Sequence, residues 1–292
     1  MLMDTLDRFL KPFHRMLAVS GQKCLTCGKT TALSREHLGL CRTCYLSIPW
    51  ITNPRCMYCG RHIGCPDCTR ESTEPWHFVC NRSAAAYNAD MREWLAQYKY
   101  RGNESYAPLL SGMLERAYRQ LQREAQKRWQ LFISSHETGK KSGLHWRVHL
   151  VTSVPVSETR LKERGFNQAE VLARGLAAAC KLPYSELLRR DRHTDKQSYK
   201  SRMDRLKDME GIFGCMPEAG EILDFQANHT YTRSPQRAFQ IPTDCAFPIR
   251  ILLIDDIYTT GSTINACSKQ LKAAGEAQGI LVEVYSLTWA RS

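Results

Sequence analysis

The chain has 292 residues, a formal net charge of +12 and 13 cysteines. At 43% hydrophobic residues it has enough apolar material for a core, which excludes wholesale disorder. No apolar run approaches the roughly 18–20 residues of a spanning helix, so an integral membrane segment is not expected. The length suits about two domains. The charge is uneven: residues 1–207 carry a net +16 and residues 208–292 a net −4.

Residues 1–20 are expected to contain an amphipathic helix. Leu2, Met3, Leu6, Phe9, Leu10, Phe13, Met16 and Leu17 recur at helical spacing and would dock on protein. Asp4 and Asp7 stand where an export signal needs basic residues. A cytosolic location is therefore expected, and paired cysteines there read as metal ligands rather than disulfides.

The cysteine-rich stretch, residues 21–80, holds four Cys-x-x-Cys pairs: Cys24/Cys27, Cys41/Cys44, Cys56/Cys59 and Cys65/Cys68. Each pair turns two thiolates to one side of a knuckle, and two knuckles complete the closed sulfur shell of a structural zinc. Eight ligands imply two zinc ions in a small double zinc-ribbon module. Sequential pairing of the knuckles is expected, with an interleaved cross-brace as the alternative. His62 is read as an ordinary surface histidine. A closed shell leaves no open coordination position, so the metal is structural rather than catalytic.

From Tyr87 to about Arg128 helical patterns dominate. Residues 133–147 lose periodicity and read as a loop. HLVTSVPV, from His149, suits a short buried strand, and EVLARGLAAACKL a helix. HTDKQSYKSRMDRLKD reads as a basic loop or exposed helix. Residues 120–147 and 216–248 read as insertions. At the C-terminus, IRILLID, TINACSKQLKAAG and GILVEVYSLTWA read as strand, helix and strand, a βαβ unit with a parallel sheet.

ILLIDDIYTTGST carries the chemistry. Ligands sit beyond the carboxyl ends of parallel strands, where Asp255 and Asp256 fall. Thr259, Thr260, Gly261, Ser262 and Thr263 follow at a helix N-terminus, which favours a phosphate. Two carboxylates would repel that phosphate directly. They make sense as acceptors for sugar hydroxyls one ribose length away, with Mg²⁺ offsetting their charge. The site thus reads as a ribose 5-phosphate holder. The P-loop lysine is missing.

This segment resembles the phosphoribosyl pyrophosphate (PRPP) loop of type I phosphoribosyltransferases. In that family the acidic pair binds the ribose 2- and 3-hydroxyls and the turn binds the 5-phosphate. The order of zinc-ribbon cysteines, YNADMREWLAQYKYRG, SVPVSETRLKERGFNQAEVLARGLA, RRDRHTDKQSYKSRMDRL and the PRPP loop is similar to the ComF family. The resemblance spans most of the chain apart from residues 120–147 and 216–248.

It implies an α/β fold: a type I phosphoribosyltransferase-like parallel sheet flanked by helices over residues 81–292, preceded by the zinc-ribbon module. It places Pro155, Arg160, Lys162 and Arg164 in a pyrophosphate loop. It places Arg192, Thr194 and Gln197 in a flexible loop over the ligand, although Asp208 replaces the family's asparagine nearby. Lys99 and Arg101, in the KYRG segment, are expected to line the cleft.

Two function classes follow. In the first, implied by the ComF resemblance, the chain binds PRPP with Mg²⁺ and serves DNA uptake in natural competence. There it would handle single-stranded DNA near a helicase-like partner, in the cytoplasm or peripherally at the inner face of the membrane through partners. Net positive charge interleaved with Trp94, Tyr98, Tyr100 and Trp129 suits such binding by phosphate contacts and stacking, against the alternative that these aromatics pack in the core. In the second, the chain is an active phosphoribosyltransferase of nucleotide metabolism. The sequence names neither an acceptor nor a catalytic residue.

Overall fold

The apolar runs of the C-terminal third form the centre of the sheet. In the computed structural model, residues 21–65, 68, 75–100, 104–135, 145–191, 211–233 and 247–292 are described. The chain divides into two compact units, Met1–Ile48 and Pro49–Ser292. The first cysteine cluster falls in the smaller unit and the second in the larger.

In the smaller unit a short antiparallel ribbon, β1 (Gln22–Lys23) and β2 (Thr30–Thr31), leads into and out of the first knuckle. Helix α1 (Arg42–Leu46) starts on Cys41, whose sulfur accepts from the Cys44 amide at 3.5 Å.

The larger unit contains a four-stranded, all-parallel sheet in the order β3 (Cys80–Ala86), β8 (Val282–Arg291), β7 (Ile249–Tyr258), β4 (Leu150–Ser153). Between β3 and β4 run α2 (Ala89–Tyr100) and α3 (Tyr106–Ser135). After β4 come α4 (Glu158–Arg164), α5 (Gln168–Cys180) and the small ribbon of β5 (Leu188–Arg190) with β6 (Phe213–Cys215). Helix α6 (Ala219–Arg233) precedes β7, and α7 (Ser262–Glu276) joins β7 to β8. Both central strands are buried along nearly their whole length, as a sheet covered on both faces requires. No described helix is long and apolar enough to cross a membrane.

The α/β fold, the C-terminal βαβ unit, the strand after His149 and the helix after it all match the expected elements. Two boundaries differ. Helix α3 runs to Ser135, beyond the expected end of periodicity. The stretch near 216–248, expected to lack a pattern, contains α6, which buries a narrow stripe of Ala219, Leu223 and Ala227 while Phe225 stays exposed. Three small or aliphatic residues at i, i+4, i+8 give too thin an apolar face to stand out in sequence. Residues 1–20, Arg101, Arg192, Thr194, Gln197 and Asp208 lie outside the described residues.

Buried polar groups fix the edge strand β3. Arg82, 2% exposed, donates to Glu124 of α3 at 2.7 Å and to the Met57 carbonyl at 3.1 Å. The guanidinium therefore joins β3, α3 and the second knuckle. Asn81 donates to the Cys59 carbonyl at 3.1 Å and accepts from Ser286 of β8 at 3.0 Å.

At the other end of the sheet, His149 Nδ1 accepts the Arg250 amide at 2.9 Å. Burial, then the charges of Arg250 and Arg147, lower the pKa of His149 to about 3.

Two outcomes are expected. Glu124→Gln removes the anionic partner of a buried guanidinium and should cost about 3 kcal/mol in urea unfolding, with the Arg82→Met/Glu124→Gln pair costing less than the sum of the single changes. His149 stays neutral in the folded state, while in the unfolded chain it gains a proton below its ordinary pKa. Stability is therefore fully present above about pH 6.5 and falls as the pH drops towards 3, by about 2 kcal/mol between pH 7.5 and 5. His149→Asn, which keeps an acceptor near Nδ1, should remove that part of the slope; an unchanged slope would place its origin elsewhere.

Candidate functional site

The carboxyl ends of β7 and β4 carry the acidic pair and its basic surroundings. Asp255 and Asp256 are the seventh and eighth residues of β7 and are half-buried. Asp255 Oδ1 accepts from the Asp256 amide at 2.8 Å, and Asp256 Oδ1 from the Ile257 amide at 2.7 Å. These local bonds fix both side chains at the strand end. The Asp256 carboxylate forms an ion pair with Lys99 at the end of α2. Burial, reinforced by the neighbouring Asp256 charge, raises the pKa of Asp255 to about 7; Lys99 and Arg160 oppose that rise.

The turn after β7 begins at Thr259. Gly261 adopts φ +84° and stands at the N-cap of α7 without a side-chain cap. The first-turn amides of α7 thus face outward from an uncapped helix start, and Thr260 Oγ1 lies 3.0 Å from Ser262 Oγ. Thr263 follows in the same first turn. Asn265, 6% exposed, is bound on the far side: its Oδ1 accepts the His77 amide at 2.6 Å and its Nδ2 donates to the Pro75 carbonyl at 3.3 Å.

After β4, Pro155 is half-buried and Ser157 caps α4 by accepting the Arg160 amide at 3.4 Å. Arg160 and Lys162 are exposed. Arg160 lies close enough to Asp255 to bear on its charge. Arg164 is turned back onto the protein. It donates to Gln168 at 2.7 Å and to the Tyr100 hydroxyl at 3.1 Å, and stacks 5.0 Å from the Tyr100 ring centre. Asn167 ties the two ends of this loop by donating to the Val154 carbonyl at 3.2 Å.

The structure thus brings Lys99, Arg160, Asp255, Asp256 and the Thr259–Thr263 turn to one end of the sheet. Arg164 faces Tyr100 and Gln168 instead. Arg190, at the end of β5, was not singled out from the sequence. Burial and then the Arg160 charge lower its pKa, and it also feels the Asp255 charge. Its neighbour Arg192 drew attention within the same basic run, whereas the β5–β6 pairing that aims Arg190 has no strong sequence pattern. A cavity of about 760 Å³ opens at the opposite end of the strands, beside Arg147, His149 and Lys181, and the acidic pair takes no part in its lining.

Of the four aromatics read as candidate stacking residues, Trp94 and Tyr98 are buried. Trp129 packs against Phe247 and beneath Arg250. Tyr100 is exposed, under Arg164. Packing in the interior therefore accounts for Trp94 and Tyr98.

The cysteines form two clusters, Cys24/Cys27/Cys41/Cys44 and Cys56/Cys59/Cys65/Cys68, each with its sulfurs within 4.8 Å of one another. This is the sequential pairing. Cys27 and Cys41 sulfurs lie 3.7 Å apart, Cys59 and Cys65 sulfurs 3.4 Å. A tetrahedral Zn²⁺ with bonds near 2.3 Å sets sulfurs about 3.8 Å apart, so both donor sets fit zinc. His62 is exposed and belongs to neither cluster. Gly60, at φ +73°, follows the second knuckle, and a side chain there would strike the Asn81 carbonyl.

No protein-family model matches the chain. Competence protein ComFC of Streptococcus pneumoniae is 27% identical over 266 residues, spanning 87% of this chain and 94% of that protein. Competence protein ComFC of Bacillus subtilis is 26% identical, spanning 82% and 81%. DNA utilization protein YhgH of Escherichia coli is 24% identical, spanning 90% and 95%.

Elemental analysis of reduced, metal-replete protein should find about two zincs per chain. A value near zero would remove both tetrahedral sites.

Proposed function

These relatives support assigning the chain to the ComF family, and we propose that it binds a ribose 5-phosphate compound, PRPP foremost, with Mg²⁺, in the service of DNA uptake. The observation that carries the ligand reading is the order of groups along one strand end. Two carboxylates at the carboxyl end of β7 are followed at once by an uncapped helix N-terminus with Gly261 in the left-handed conformation. Carboxylates accept sugar hydroxyls, and amides at the positive end of a helix dipole receive a phosphate.

In this reading Asp255 and Asp256 take the ribose 2- and 3-hydroxyls. Thr259, Thr260, Gly261, Ser262 and Thr263 take the 5-phosphate. Lys99 holds Asp256 in place, and Arg160, Lys162 and the backbone after Pro155 lie on the pyrophosphate side. Arg164 steadies that loop from behind through Tyr100 and Gln168. Mg²⁺, when bound, would offset the charge shared by diphosphate and carboxylates. Each cysteine cluster holds one structural zinc.

The biological half of the proposal rests on the relatives' names, which speak of competence and DNA utilization. Single-stranded DNA would be held mainly through phosphate contacts with basic residues. Stacking on Trp94 and Tyr98 does not support it, because both are interior. The alternative, a phosphoribosyltransferase with a separate acceptor, would use the same acidic pair and turn as its donor site. Arg192, Thr194 and Gln197 remain proposed as the covering loop.

At a hundredfold excess over its Kd, PRPP with Mg²⁺ should stabilise the protein by about 2.7 kcal/mol, raising Tm by roughly 5–10 °C. Asp255→Asn with Asp256→Asn should abolish the shift; a shift retained in the double variant would overturn the assigned site. Single-stranded DNA affinity should fall steeply with salt, and removal of charge at Arg160 and Lys162 should flatten that slope. No binding at low salt would leave the transferase reading.

A further inference from the structure

The second cysteine cluster adjoins the proposed phosphate turn, and the residues between them form a continuous set of contacts. Tyr258 ends β7 immediately before the turn and is 2% exposed. Its ring packs against Phe78, which packs against Trp76. A side-chain carbon at Gly261 would collide with the Tyr258 ring and hydroxyl and lie 3.2 Å from the Trp76 ring. The turn is therefore moulded directly onto Tyr258 and Trp76.

Arg291, the last residue of β8, is 3% exposed and lies behind Tyr258. Its guanidinium sits 4.8 Å from the Tyr258 ring centre. One terminal nitrogen donates to the Tyr258 carbonyl at 3.3 Å and to the Ser292 main-chain oxygen, and the other to the Cys59 sulfur at 3.6 Å. No hydrogen-bond partner is present for its Nε or for the Tyr258 hydroxyl among the described residues. A buried guanidinium requires compensating negative charge. The Cys59 sulfur is one group that can supply it, and Zn²⁺ bound by four thiolates would carry a net charge of about −2 beside this guanidinium.

The start of α7 is also held by the segment that precedes β3. Pro75 and His77 hold Asn265 in the first turn of α7. The same segment joins the sheet where the Val79 amide donates to Val284 at 2.8 Å. The contacts of Arg291 and Tyr258 lead from the second cluster to the turn at Thr259–Thr263, and those of Pro75 and His77 hold the helix start beside it.

We propose that the second cysteine cluster, when it holds zinc, is the support of the phosphate-binding turn, with Arg291 and Tyr258 as the positioning residues that join the two. The ligand consequence rests on the phosphate reading above; the mechanical coupling does not. Zinc at Cys56/Cys59/Cys65/Cys68 fixes the sulfur that Arg291 engages, and Arg291 fixes the residue onto which Gly261 closes. The first cluster belongs to the other compact unit.

The test compares full-length Cys59→Ser, Cys27→Ser, Arg291→Met and Arg291→Lys with the wild type. Zinc content, amide hydrogen exchange over residues 258–265 and the Kd for PRPP with Mg²⁺ are measured on each. Cys59→Ser and Arg291→Met should speed exchange in that segment and weaken PRPP by at least about tenfold. Cys27→Ser should lose zinc with both readouts unchanged, and Arg291→Lys should restore most of the protection.

Arg291→Met keeps all eight cluster cysteines, so the test survives a failure of Cys59→Ser to fold. Unchanged exchange in folded Arg291→Met, or equal effects of Cys27→Ser and Cys59→Ser, would overturn the coupling. Wild-type protein that does not bind PRPP would reject the ligand reading, and exchange alone would then decide the coupling.

Discussion

The parallel pairing of β7 with β8 is the constraint on which the rest depends. Its register runs from Ile249 opposite Val282 to Tyr258 opposite Arg291. A parallel pair needs a crossover, here α7, and a crossover that leaves the carboxyl end of β7 starts a helix there. The acidic pair and the uncapped helix start are thus neighbours because of topology. The same register delivers Arg291 to Tyr258, so the final strand residue bears on the turn that opens 32 residues earlier.

Polar groups inside the sheet add a second layer of order. Ser83 and Thr288 lie 2.7 Å apart across β3 and β8, and Asn81 bridges Ser286 and the Cys59 carbonyl. Such groups are costly to bury unless paired, and pairing restricts the strands to one register. They also bind the second knuckle to the edge of the sheet. This explains why that knuckle contributes Cys56 and Cys59 to the same core cluster as Phe78, Tyr258 and Ile264.

Charge is arranged differently at the two ends of the sheet. At the carboxyl end, Lys99 and Arg160 bear on two adjacent carboxylates, and burial keeps Asp255 readily protonated. A polyhydroxyl ligand with phosphate groups suits this mixed field better than a plain polyanion. At the amino end, His149 is held neutral between arginines and accepts a backbone amide, a structural arrangement. The net charge of +12 is therefore a poor guide to any one site.

The sequence by itself determined the parts whose chemistry is local. Four Cys-x-x-Cys pairs specify two sulfur clusters, because two residues of spacing suffice to turn both thiolates inward. Long apolar runs flanking TINACSKQLKAAG specify a buried parallel βαβ unit, and DDIYTTGST places acids and hydroxyls at its strand end. Helix α6 was not legible, because its buried stripe is a single row of three residues, whereas packing of Trp94 and Tyr98 in the core was one of the two readings their sequence context offered. Only the tertiary structure decided what faces what. Lys99 meets Asp256 across more than 150 residues, Arg190 is aimed by a short ribbon, and Arg291 reaches Cys59 from the far end of the chain. Such contacts depend on strand order and register, which arise from burial of the whole sheet and leave no periodic trace around any one residue.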